Sequence, residues 1–159
     1  MLAHLFKNIK SLFIKSNSIT KIEKKIDYSF QNKRLVKQAF THKSINNSPR
    51  FNYERLEFLG DSVLDIVISR ELMREFPDGD EGLLTQRRAA LVQKPFLANI
   101  GRLLNLMDYL KIEQNIDLTI NKIADKQLAN IFEALIGAIY LDGGIDPCKV
   151  LILNTTLSP

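Results

Sequence analysis

Cysteine is almost absent from this 159-residue chain: Cys148 stands alone. No disulfide can form within the chain, and a reducing compartment suits it. Seven Gly and five Pro are too few to punctuate a sandwich of short strands, so helices are favoured. No apolar run approaches the roughly 20 residues that cross a bilayer, and a cytoplasmic protein without a membrane partner is expected. Imidazole is scarce too. Neither His4 nor His42 is followed by Asp, which argues against a helical phosphohydrolase that holds its metals through a His-Asp pair. There is no internal repeat and no low-complexity segment. What remains, 45% apolar and 25% charged residues, is ordinary for one soluble globular domain.

The net charge of +4 conceals an asymmetry. Residues 1–50 hold eleven Lys and Arg against only Glu23 and Asp27, whereas residues 54–81 hold nine acids against Arg55, Arg70 and Arg74. A solvated basic surface explains the first part; a phosphate-facing surface beside an acidic pocket explains both. An acidic cluster on a protein that binds a polyanion requires cations to neutralise it.

Periodicity divides the chain into helices and gives an all-α fold. Leu2, Leu5, Phe6, Ile9, Leu12 and Phe13 recur at helical spacing, so residues 1–18 read as an amphipathic extension. Residues 19–159 read as one domain. Two short helices are expected between Ile19 and Phe40, with a turn near Tyr28–Asn32 and Asn32 as a cap. Thr41 to Asn52 is a loop. A long helix spans Tyr53 to Phe76 and ends at Pro77; helices over Glu81 to about Gln93 and Pro95–Leu104 follow. Lys122 to Leu141 is a further helix, stopped by Gly143 and Gly144, with a turn or two after Pro147.

Two of these helices carry the chemistry. On the helix from Tyr53, Glu54, Glu57 and Asp61 fall within an arc of roughly 60°, and Asp65 continues that face. Leu56, Leu59, Val63, Leu64, Ile66 and Val67 take the opposite side as a core-packed stripe, where Gly60 would let a neighbouring helix come close. Phe58 lies beside the acids instead. Like charges at i,i+4 destabilise a helix, so an acidic stripe is either a solvated face or a cation site. The helix 128–141 is apolar almost all round except for Asn130 and Glu133, with Gly137 one turn further. A buried carboxylate is costly unless it is paired or binds a metal, and nothing local offers Glu133 a basic partner. Bringing both faces together lets Glu57, Asp61, Asn130 and Glu133 share a hard cation, for which oxygen-only ligands point to Mg²⁺, with Mn²⁺ as a substitute. His42 is then expected to make a structural hydrogen bond in its loop.

The run from Asn52 to Leu64, with Thr41-His42-Lys43-Ser44 before it, Asp80-Glu81-Gly82 after it and the stretch from Leu128 to Gly144, resembles the ribonuclease III family. The resemblance extends over about residues 20–157 with the motifs in family order. It implies a helical, homodimeric, Mg²⁺-dependent endonuclease that cuts both strands of double-stranded RNA and leaves 5′-phosphates and short 3′ overhangs, in rRNA or mRNA processing. Carried over by the resemblance, Glu57, Asp61 and Glu133 match metal-binding carboxylates, Asp61 and Glu133 being the catalytic pair. Glu54 and Glu81 match two further acids at the cleavage centre, and Phe58 matches an aromatic knob that inserts into the partner subunit. Lys43, Arg87 and Arg88 are candidates for contact with the RNA backbone.

Two departures stand out. Where many family members have Asp, this chain has Asn130, which keeps an oxygen but loses a charge, so weaker metal binding is expected. A tolerated natural variant, an engineered inactivating change and lost catalysis all fit that substitution, and a silent RNA-binding dimer is the alternative function. Asp125, five residues earlier, is not expected to substitute. Secondly, the resemblance implies a separate double-stranded-RNA-binding domain after the nuclease domain, for which Asp146 to Pro159 is too short.

Overall fold

The computed structural model describes residues 18–156. The amphipathic extension expected over residues 1–18 therefore lies, but for Ser18, outside the described residues. Helix α1 occupies 18–26. It is followed by α2 (Lys33–Ala39), α3 (Glu54–Glu75), α4 (Glu81–Val92), α5 (Lys94–Leu103), a 3₁₀ turn (Leu106–Tyr109), α6 (Asn121–Gly143) and α7 (Ile145–Thr156). Among the described residues the only strand-like pairing is an isolated bridge between Thr41 and Lys111, and no helix is long and apolar enough to cross a membrane.

The helix ends have local causes. Asn32 accepts from the Arg34 N–H at the start of α2, and Asp80 accepts from the Leu83 N–H at the start of α4, each satisfying a donor that the first turn leaves free. The fully buried Asn52 accepts from the Glu54 N–H at 3.0 Å while its amide donates to the Asn46 carbonyl. One side chain thus starts α3 and fixes the loop that leads into it. Pro77 ends α3, and Gly144, at φ 81°, ends α6 in a conformation that favours glycine.

Helix α6 is the axis of the molecule, buried without interruption from Gln127 to Ile139. Helix α3 lays Leu56, Gly60, Val63, Leu64, Val67, Ile68 and Leu72 against it. Where the two cross, glycine faces glycine. A Cβ on Gly60 would stand 1.7 Å from the Glu133 carbonyl oxygen, and one on Gly137 would stand 2.1 Å from that of Leu56. The backbones are in contact there, as the small residue at 60 led one to expect.

Two expectations need correction. Ile66 is 60% exposed, because it sits at the outer edge of the apolar arc, beyond the reach of α6. The last helix is more than a turn or two: α7 runs for 12 residues and begins at Ile145, with Pro147 inside its first turn, where a missing N–H is tolerated. The 3₁₀ turn had no periodic signal to reveal it. Asp142, at the end of α6, was also overlooked. It accepts from the Tyr28 hydroxyl and from the backbone N–H groups of Gln31 and Asn32, each at 2.8 Å, and so locks the α1–α2 turn onto the central helix.

Candidate metal centre

The crossing at Gly60 brings the acidic stripe of α3 over the polar residues of α6. An open cleft of about 430 Å³ results, lined by Glu54, Glu57, Phe58, Asp61, Lys94 and Glu133. Asp61 and Phe58 are exposed and Glu54 and Glu57 half-buried, whereas Glu133 and Asn130 each retain only 5% of their accessible surface.

Burial pushes the Glu133 carboxyl up to about 8 against the pull of Lys94, and repulsion from Asp61, Glu57 and Asp65 adds to the rise. Glu57 is raised as well, by burial first, with Lys94 and Lys126 opposing and Glu54 and Asp61 reinforcing. Both carboxyls are raised chiefly because burial disfavours their charged forms, with the neighbouring acids adding to the rise.

Lys94, from the start of α5, is the residue that sequence reasoning missed: it is not local to Glu133 in sequence, yet its charge opposes the rise of that carboxyl. Its ammonium donates to Asn130 Oδ1 at 2.9 Å and stands 3.8 Å from Glu57 Oε1. The partner is distant in sequence, and helical spacing says nothing about what α5 delivers to α6. Asn130 is fixed from its other end, where its amide donates to the Tyr53 hydroxyl at 3.5 Å; that hydroxyl in turn donates to Gln127 Oε1 at 2.7 Å. The Asn130 oxygen is thereby held toward Lys94.

The carboxylates are not gathered into a ready cage. Among the described residues, no three His, Cys, Asp or Glu side chains stand together as a metal-binding group. The donor chemistry nonetheless fits a hard cation. Glu57, Asp61 and Glu133 bring carboxylate oxygens to the cleft lining, the Asn130 oxygen bonds the Lys94 ammonium that also lines it, and a divalent cation would offset the cost of ionising the buried Glu133.

The other predicted residues fall around this cleft or away from it. Lys43 pairs with Glu54 at 3.3 Å, which puts a base at the rim. Glu81 is not brought into the cleft. It accepts from Thr85 at 3.0 Å and lines a separate depression with Ser69, Met73 and Arg88. Arg88 donates to Ser69 from that depression, while Arg87 is exposed and stacks over the Phe76 ring. Phe58 is 80% exposed. His42 is buried and Nδ1 is 2.8 Å from the Ser44 hydroxyl; burial and Lys43 hold its pKa below 6.5, in keeping with a structural role. Asp125 pairs with Arg102 and takes no part in lining the cleft.

Comparison with known proteins identifies the family and the fold. The profile of ribonuclease-III-like proteins matches residues 32–159. Ribonuclease 3 of Nitratiruptor sp. is 42% identical over 136 residues, which cover 86% of this chain and 59% of the relative. Ribonuclease 3 of Sulfurovum sp. is 38% identical over 138 residues, covering 87% and 61%. The chain thus spans about three-fifths of the length of these curated relatives. The nuclease domain of ribonuclease III from Campylobacter jejuni, whose structure was described for flexibility in the region involved in dimer formation, superposes with a TM-score of 0.79 at 38% identity. The match covers 88% of this chain and 99% of that one. A Dicer from Pichia stipitis aligns less closely, at a TM-score of 0.58 and 29% identity. The chain belongs to the ribonuclease-III-like family and has the all-α fold of a ribonuclease III nuclease domain.

Proposed function

We propose that this chain is a Mg²⁺-dependent endoribonuclease that cleaves double-stranded RNA as a homodimer, with its reaction centre at the α3–α6 crossing. The observation that carries the reading is the buried Glu133 lining one solvent-open cleft with Glu57 and Asp61. Glu57, Asp61, Glu133 and the Asn130 oxygen would hold the cation, with Mn²⁺ as a substitute. When bound, a cation of this kind polarises the phosphate, lowers the pKa of an attacking water and stabilises charge on the leaving 3′ oxygen. Glu133, fixed on the buried helix, sets the floor of the site, and the exposed Asp61 faces the incoming strand. Glu54 pairs with Lys43 at the rim, where its charge suits a phosphate contact; Arg87 and Arg88 would meet the duplex further along. Glu81 would contribute from outside the cleft. An A-form duplex is read through its shape, phosphates and 2′-hydroxyls rather than its base edges. Duplex RNA is expected to be cut with Mg²⁺ and left intact in chelator; equal cleavage in both conditions contradicts the proposal.

Dimerisation follows from the face that carries Phe58. This ring borders, and partly lines, a depression shared with Gln38, Arg55, Leu59 and Leu141, so one surface presents both a knob and a recess. That is what a two-fold, self-complementary interface requires. Phe58→Ala is expected to weaken the dimer by about 2 kcal/mol or more, roughly thirtyfold in dissociation constant. Sedimentation equilibrium reads the change, and a monomeric wild type at micromolar concentration contradicts it.

Asn130→Asp is expected to bind Mg²⁺ more tightly, since affinity for hard cations rises with ligand charge, and to be less stable without it. The amide now donates to Tyr53; a carboxylate there would meet a hydroxyl whose proton is already given to Gln127. Leaving one buried polar group unsatisfied costs roughly 1–3 kcal/mol. Melting temperatures across a Mg²⁺ titration should show a lower start and a steeper rise than wild type. Identical metal dependence would place Asn130 outside the coordination sphere.

A further inference from the structure

Lys94 is electrostatically misplaced as a helix residue. It occupies the first turn of α5, which carries no acid, at the end where the helix dipole disfavours a cation. The charge is answered by the cleft instead. The ammonium sits 2.9 Å from Asn130 Oδ1 and 3.8 Å from Glu57 Oε1, and its charge is the strongest influence opposing the rise of both Glu57 and Glu133. The Asn130 oxygen it engages belongs to an amide anchored from its opposite end by the bond to Tyr53. Meanwhile the Lys94 side chain remains 56% exposed. Its flexible stem can therefore swing the head into water without first being dug out of the core.

We propose that Lys94 is a built-in counter-ion of the carboxylate cleft, whose ammonium holds the Asn130 and Glu57 oxygens that a divalent cation would take and must withdraw before the cation can enter. The inference rests on the metal-site reading above and deepens it by adding a competitor within the chain. Asn130 is part of the device, because a neutral amide oxygen releases an ammonium more readily than a carboxylate would. Without cation the lysine limits the mutual repulsion of Glu57, Asp61 and Glu133; with cation it is in the way.

The test is calorimetric titration of Mg²⁺ into wild type, Lys94→Gln and Lys94→Met without RNA, with melting curves of the same proteins in chelator. Both neutral variants are expected to bind Mg²⁺ about tenfold more tightly, the factor that corresponds to ~1.4 kcal/mol of relieved competition. In chelator they should melt at lower temperature, because the acids have lost their internal cation. Lys94→Arg, which keeps the charge, should stay at or below wild-type affinity. Equal or weaker binding by both neutral variants overturns the role of Lys94 while leaving the metal site intact. Absence of Mg²⁺ binding in wild type and variants alike overturns the metal-site reading and this inference with it.

Discussion

Glu133→Gln is expected to lower Mg²⁺-dependent cleavage by roughly a thousandfold or more, since a bound Lewis acid contributes several kcal/mol to such a transition state. The substitution keeps the volume of the side chain on α6 and removes the charge that draws the cation to the floor of the cleft. The same variant should show a second effect that no simple packing role produces. The Glu133 carboxyl is raised from about 4.5 to about 8 in the folded protein. A group raised in this way favours the fold fully below its unfolded value and loses that contribution as pH rises through its folded value. Without metal, wild type should therefore lose stability between pH 4.5 and 8, at about 1.4 kcal/mol for every tenfold change in proton affinity between the folded and unfolded chain. Glu133→Gln has no proton to lose there, so its melting temperature should stay flatter across that range and exceed wild type at pH 8. Addition of Mg²⁺ should stabilise wild type and leave the variant nearly unchanged. Undiminished cleavage together with an unchanged pH profile would leave Glu133 a purely structural residue.

Gly60→Ala should have the largest effect on stability. The new methyl would stand 1.7 Å from the Glu133 carbonyl oxygen, and the obstacle is backbone, which cannot rotate aside. Overpacking of this kind costs ~1–3 kcal/mol even where side chains can adjust, and the upper end is expected here. Because Glu57 and Asp61 lie on the same two turns of α3 as Gly60, pushing the helices apart also moves them from Glu133. Thermal melts should record the lost stability, and Mg²⁺ titration of the folded fraction should record weaker binding. A Gly60→Ala protein as stable as wild type would mean that the helices do not touch at this crossing.

The contrast between what the chain disclosed and what it hid has a physical origin. Helix α3 was legible because its apolar residues recur at helical spacing, and α6 because the stretch 128–141 is apolar almost all round but for Asn130 and Glu133. Gly60 pointed to a close approach, and the structure shows that Gly137 is the residue it meets. The cleft followed from the expense of burying Glu133. Lys94 stayed hidden, since its contacts with Asn130 and Glu57 span 36 residues or more in sequence, and which end of α5 meets α6 depends on the tertiary fold. Asp142 and the Tyr53–Gln127 pair escaped for the same reason. Ile66 misled because periodicity marks a face of a helix but not how far its neighbour extends across it.

The most direct test of the account is the chemistry of the cleaved ends. Incubated with a long duplex RNA and Mg²⁺, the chain should release fragments with 5′-phosphates and 3′-hydroxyls on short 3′ overhangs, because water attacks in line with a departing 3′ oxygen. Chelator should stop the reaction, and Glu133→Gln should prevent it. Fragments ending in 2′,3′-cyclic phosphate and 5′-hydroxyl would show attack by the RNA's own 2′-hydroxyl without a bound cation. That outcome, or an intact duplex at saturating Mg²⁺, would contradict the site proposed at the α3–α6 crossing.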